Sequence, residues 1–300
     1  MFAGSLVAIV TPMRADGAID FEAWAGLVEL HAAQGTDGIV VGGTTGESAT
    51  LQDAELRELL LRACAQLQGR LTLIAGAGTS GTASTVERVA WLSELPIDGL
   101  LVVTPAYNRP SQEGLYRHFA AAAAAARKPL VLYNVPARTA VDMQPATVAR
   151  LARVAGIVGI KEAVAEPARV RELVALCGQD FVVLSGDDAS ARASIAAGAR
   201  GVISVTANVA PRAMSQMLAA VRHGDVARAA ELDAPLSGLH RELFVEANPI
   251  PVKWLLAQMG LIGPGIRLPL TPLAAEHHAG LLAAARTAGV PVRESVVHEE

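Results

Sequence analysis

The chain has 300 residues, 52% of them hydrophobic, with 25 basic and 29 acidic side chains and a net charge of −4. That balance, with no basic run longer than Arg127-Lys128, argues against a nucleic-acid partner. Charges and prolines interrupt every apolar stretch before it reaches the length of a membrane span, and Met1 to Pro12 lacks the parts of a secretion signal.

Apolar, β-branched runs predict strands at 5–11, 38–43, 71–76, 99–104, 129–135, 157–163, 180–186 and 201–207. Segments with helical spacing follow each of them, near 20–34, 53–68, 82–94, 111–126, 145–154, 166–177, 189–197 and 211–222. Asp20, Asp53, Ser111 and Asp188 are residues suited to opening helices. Eight strands, each with its helix, predict an α/β fold of the (β/α)8 TIM-barrel type. A doubly wound sheet fits less well, because the first strand ends in Val10-Thr11-Pro12 with no glycine fingerprint. After about residue 223 the pattern becomes helical, near 225–245, 250–260 and 273–288. The expected division is therefore a barrel over 1–222 and a C-terminal helical region over 223–300 packed on it, with Ser295 to Glu300 frayed.

Cys64 and Cys177 fall in helical patterns without a metal or redox motif and read as core thiols of a cytoplasmic protein. His31, His118, His223 and His240 fall on helices away from the strand ends, and no pair has metal-ligand spacing, so no metal site is expected.

A barrel of this kind gathers its chemistry at the C-terminal ends of the strands. Lys161 lies in the apolar run Ile157 to Ala163 and is one of three lysines, with Lys128 and Lys253. A lysine snorkelling to water is the plain reading. A buried ammonium, however, loses solvation, which favours the neutral amine that forms Schiff bases with carbonyl compounds. Around it the strand ends bring Gly42-Gly43-Thr44-Thr45-Gly46, Tyr107, Tyr133 and Arg138. The glycine–threonine loop is either a simple turn or a carboxylate cradle. Tyr133 is either a core aromatic or a proton shuttle beside the lysine. Arg138 is either a surface ion-pair partner or a fork for a substrate carboxylate. Asp187 and Asp188 read as helix caps, and alternation along the strand turns Glu162 away from Lys161.

The chain resembles the pyruvate-dependent class I aldolases of the N-acetylneuraminate lyase superfamily, and within it the dihydrodipicolinate synthase (4-hydroxy-tetrahydrodipicolinate synthase) family. Gly43 to Leu51, Tyr107 to Tyr116, Tyr133 to Thr139, Gly159 to Ala163, Leu184 to Asp188 and Gly201 to Asn208 carry the resemblance. Asn248 to Lys253 and Leu268 to Pro272 extend it into the helical tail. The resemblance implies that Lys161 forms an imine with pyruvate, and that Thr45 and the Ile203 backbone hold the pyruvate carboxylate and adjacent atoms. It implies a proton relay from Tyr133 through Thr44 to Tyr107, the last reaching the site of a neighbouring subunit in a tight dimer. Arg138 would take the carboxylate of L-aspartate 4-semialdehyde, with no cofactor required. A homotetramer built as a dimer of dimers, in the cytoplasm, is implied as well, as is entry into diaminopimelate and lysine biosynthesis. Sister aldolases acting on sialic acid or 2-keto-3-deoxy sugar acids keep the lysine and Tyr133 but typically lack the combination of Tyr107 and Arg138. A catalytically silent keto-acid sensor would not need the full relay.

The departures fall in the family's lysine-inhibitor pocket. Asp53 and Leu56 stand where histidines are found, Ser80 replaces an asparagine, Ser84 a glutamate, and Ala106 a tyrosine, while Ser48 and Ala49 remain. Loss of the charged partner for the inhibitor's amine implies weak or absent inhibition by L-lysine. Ala140 stands where a glycine usually follows the arginine–threonine pair.

Overall fold

The computed structural model describes residues 2–293. Its eight strands are β1 (Gly4–Ala8), β2 (Gly38–Val41), β3 (Thr72–Gly76), β4 (Gly99–Val103), β5 (Leu130–Asn134), β6 (Ile157–Glu162), β7 (Val182–Ser185) and β8 (Gly201–Ser204). All pair in parallel in sequence order, and β8 returns to β1 through Leu6 opposite Ile203, closing the barrel. The helices are α1 (Phe21–Ala33), α2 (Asp53–Leu67), α3 (Thr82–Leu92), α4 (Gln112–Ala125), α5 (Pro136–Thr139), α6 (Pro145–Leu151), α7 (Pro167–Cys177), α8 (Ala191–Ala196) and α9 (Pro211–Arg222). Beyond the barrel come α10 (Val226–Asp233), α11 (Ser237–Glu242), α12 (Ile250–Gln258) and α13 (His278–Thr287). The expected (β/α)8 fold with a helical C-terminal part is the fold observed. The expected fraying of Ser295 to Glu300 lies outside the described residues.

Alternation of side chains along each strand separates two apolar clusters. Leu6, Val40, Ile74, Leu101, Val131, Leu184 and Ile203 fill the barrel interior. Val7, Ile39, Leu73, Leu100, Leu132, Ile160 and Val183 face the helices in a second cluster. That outer cluster continues without a break into Leu239, Leu243, Leu255 and Leu281. The C-terminal helices therefore share the barrel's outer core.

Several boundaries differ from the sequence reading, each for a local reason. The strands expected to reach residues 11 and 207 stop at Ala8 and Ser204. Val10 N–H donates to the Asn208 side chain at 3.1 Å, and Val205 and Thr206 N–H donate to Asp188 Oδ2 at 2.9 and 2.8 Å, so the ladder cannot continue. Asp188 therefore braces the end of β8 and is no helix cap. Asp187 takes the turn before α8, accepting from Ser190 N–H at 2.8 Å. Asp20 and Ser111 cap α1 and α4 as expected, accepting from Ala23 N–H at 3.0 Å and Gly114 N–H at 3.2 Å. Asp53 is instead the first residue of α2, after Gln52. The long helix expected over 225–245 is divided into α10, a 3₁₀ turn at Ala234–Leu236 and α11, because Pro235 lacks the N–H a continuous helix needs.

Cys64 and Cys177 are half-buried in the helical layer rather than fully in the core. Burial still raises both thiols, Cys177 to about 11. No described helix is long and apolar enough to cross a membrane.

Candidate active site

Lys161 and Tyr133 are opposite one another across the β5–β6 pairing, near the C-terminal ends of both strands. Alternation turns both side chains inward, and the Lys161 Nζ lies 4.3 Å from the centroid of the Tyr133 ring. Each is buried, at 6% and 7% exposure. Among the described residues the lysine held in a buried ion pair is Lys253, with Glu47, and not Lys161. The Lys161 amine thus sits on an aromatic face, with no carboxylate in ion-pair contact among the described residues. Gly186, just after β7, closes against its stem. A Cβ there would stand 3.0 Å from Lys161 Cε and 3.0 Å from the Ala163 Cβ.

Above this pair opens a cavity of about 510 Å³. Thr44 and Thr45 reach it from the loop between β2 and α2, and Arg138 from the one-turn α5. Gly42 opens that loop with φ +65, a left-handed backbone where a Cβ would also meet Leu56 at 2.6 Å. Thr45 Oγ1 accepts from Asn248 Nδ2 at 2.9 Å, and Arg138 Nη2 donates to the Asn248 carbonyl at 3.1 Å. Ala140 ends α5 in the left-handed region with φ +57, which explains why a glycine suits the position.

Of the residues expected from sequence, Thr44, Thr45, Tyr133, Arg138 and Lys161 line one cavity. Ile203 does not line it. Its side chain belongs to the barrel interior, and Val205, two residues on, forms the wall. Tyr107 is also apart, 96% exposed on a loop after β4, with φ +72. The sequence reading assigned no site role to Asp187 or to Phe244–Asn248, which complete the wall. The signal for the latter was Asn248-Pro249-Ile250-Pro251, an unusual run in an Ala/Leu-rich tail. His240, expected away from the strand ends, instead lies 2.9 Å from Thr206 Oγ1 just past β8. Among the described residues no three His, Cys, Asp or Glu side chains cluster as a metal site would.

Behind the lysine, Glu162 points to the helical layer. Its carboxylate accepts from Asn134 Nδ2 at 3.0 Å and Val164 N–H at 2.9 Å. Burial raises its pKa from 4.5 to about 7, with these hydrogen bonds and Arg169 opposing and Asp142 reinforcing the shift. Between about pH 4.5 and 7 the folded chain keeps a proton that the unfolded chain releases. The contribution to stability is full below pH 4.5 and is lost as pH rises to about 7, on the order of 3 kcal/mol. Glu162→Gln should flatten this slope. Melting temperatures at about pH 5 and about pH 8 test it, and an unchanged slope in the variant would contradict the assignment.

Residues 1–288 match the dihydrodipicolinate synthetase family. The 4-hydroxy-tetrahydrodipicolinate synthases of Aromatoleum aromaticum and Methylococcus capsulatus are 51% and 52% identical to it, each over 97% of this chain and 100% of the relative. The chloride-inhibited dihydrodipicolinate synthase of Acinetobacter baumannii, complexed with pyruvate, superposes with a TM-score of 0.95 at 45% identity, covering 97% of this chain and 100% of that one. With a barrel closed around a buried, unpaired lysine, and likeness of this extent in both sequence and structure, the chain belongs to the dihydrodipicolinate synthetase family.

Proposed function

We propose that Lys161 catalyses the condensation of pyruvate with L-aspartate 4-semialdehyde to 4-hydroxy-tetrahydrodipicolinate, the committed step toward diaminopimelate and lysine. The carrying observation is the inward amine of Lys161, buried on the Tyr133 ring at the floor of the cavity. The amine adds to the pyruvate carbonyl, and loss of water gives a protonated imine. That imine draws electrons from the methyl group, a proton leaves, and the resulting enamine attacks the aldehyde carbon. The amino group of the second substrate then adds at the imine carbon, releases Lys161 and closes the ring. Tyr133 moves protons at the imine and carbinolamine stages. Thr45 donates to the pyruvate carboxylate, and Ile203 contributes through its backbone. Arg138, on the cavity rim, receives the carboxylate of the semialdehyde in a charge-assisted pair.

Tyr107 acts across a subunit boundary in this reading, reaching Thr44 of a second copy and completing a relay that one chain leaves open. Its 96% exposure, in a left-handed backbone, supports that placement. The assembly proposed is a homotetramer, a dimer of dimers, working in the cytoplasm. The test is turnover of pyruvate with L-aspartate 4-semialdehyde, coupled to NADPH consumption by dihydrodipicolinate reductase. Steady turnover supports the reading. A chain that traps pyruvate under borohydride yet turns over nothing would point to another aldehyde partner.

L-Lysine should inhibit weakly. Asp53, in place of a histidine, is tied to Arg88, and Leu56 is buried in the core. Ser80 and Ser84 are exposed and offer no carboxylate to an incoming amine. Initial rates against lysine concentration should show half-inhibition only above about 1 mM, since losing a charge-assisted partner weakens binding about ten- to a hundredfold. A sub-millimolar constant would refute this.

A further inference from the structure

Lys253 is the second buried lysine, at 4% exposure, and it lies on α12 outside the cavity wall. Its Nζ donates to Glu47 Oε1, and both side chains are almost wholly enclosed, at 4% and 1% exposure. Glu47 belongs to the same loop as Thr44 and Thr45. Its N–H donates to the Thr44 carbonyl at 3.1 Å, and its own carbonyl accepts from Thr50 N–H at 3.0 Å. Glu47 also holds φ +59, a left-handed backbone that a side-chain-bearing residue keeps only when its surroundings fix it. The other carboxylate oxygen accepts from Arg267 N–H at 3.3 Å, and the Arg267 guanidinium binds the Thr50 carbonyl at 2.8 Å and Glu55. Five residues before Lys253, Asn248 donates to Thr45. One short segment of the C-terminal region thus grips the threonine loop twice, at the cavity and behind it.

An enclosed ion pair is weak evidence for stability, because apolar side chains of similar volume stabilise as well or better. A directed pair does, however, fix an angle that apolar packing leaves loose. Burial pulls the Lys253 ammonium below its usual value, and the adjacent Glu47 charge opposes that shift without cancelling it. We propose that Lys253 and Glu47 are positioning residues that set the Thr44–Thr45 loop in the geometry that binds the pyruvate carboxylate. This inference rests on the pyruvate-binding role given above to Thr45 and is independent of the aldehyde partner.

The test compares wild type, Lys253→Met and the double variant Glu47→Gln/Lys253→Met by borohydride trapping on Lys161 across a pyruvate titration, followed by intact mass. Lys253→Met alone strands a buried carboxylate, whereas the double variant removes both charges and keeps the fold testable. The expected result for the double variant is a melting temperature near that of wild type, with half-saturation by pyruvate raised about ten- to a hundredfold. Full labelling should still be reached at saturating pyruvate, because Lys161 itself is untouched. A folded double variant with the wild-type pyruvate titration would overturn the inference and leave the pair purely structural. Trapping needs pyruvate alone, so the comparison reads the same whether or not the semialdehyde is the second substrate. A wild type that traps no pyruvate would overturn the inference and the proposed function together.

Discussion

Lys161→Ala should lose at least about a thousandfold in turnover, about 4 kcal/mol of barrier, and should give no borohydride-trapped adduct. The loss is of this size because, among the described residues, no other amine lines the cavity to form the imine. Lys253 is engaged with Glu47 behind the wall, and Arg138 carries a guanidinium rather than an amine. The variant should remain folded, since Lys161 makes no ion pair among the described residues whose partner would be stranded. The opposite holds for Lys253→Met, where an uncompensated buried Glu47 costs about 3–5 kcal/mol. The two buried lysines are therefore separable: one removes activity without stability, the other costs stability first. Coupled turnover, adduct mass and thermal melts of the two variants side by side decide the matter. A Lys161→Ala protein with residual turnover above a hundredth of wild type would exclude imine chemistry at that residue.

The barrel and the floor of its site were legible because both are encoded by short-range patterns. The apolar, β-branched runs placed Tyr133 and Lys161 near strand ends, and alternation turned Glu162 away from Lys161, as found. The second grip on the threonine loop was not legible. Thr45 and Glu47 meet Asn248 and Lys253 across 203 and 206 residues of chain, and neither helix spacing nor composition marks which strand end a tail segment will cover. Asp188 was misread for a related reason. A carboxylate before a helix predicts a cap, but the unpaired N–H groups of Val205 and Thr206 at the end of β8 compete for it and win. His240 follows the same logic, drawn to Thr206 by a contact that its own helix does not encode. Tyr107 marks a different limit. Tyr107 is 96% exposed in a left-handed backbone, and the role proposed for it above needs a second copy, which no pattern within one sequence displays.

Tyr133→Phe should reduce turnover by about a hundred- to a thousandfold while leaving pyruvate able to label Lys161 fully, given time. The substitution removes one oxygen and keeps the ring, so the aromatic face 4.3 Å beneath the Lys161 Nζ persists and the lysine stays in place. What is lost is the proposed proton carrier at the point where the carbinolamine must shed water and the imine must later be broken. Each of those steps needs a proton delivered or removed within hydrogen-bond reach, and Gly186, which closes against the lysine stem, and Ala163 beside it offer no titratable side chain. Adduct formation should therefore slow in step with turnover, with its final extent unchanged, a pattern that a loss of pyruvate affinity cannot mimic. Time courses of borohydride trapping at saturating pyruvate separate the two. If the variant labels at the wild-type rate, Tyr133 is a packing residue and proton transfer must be assigned elsewhere in the cavity.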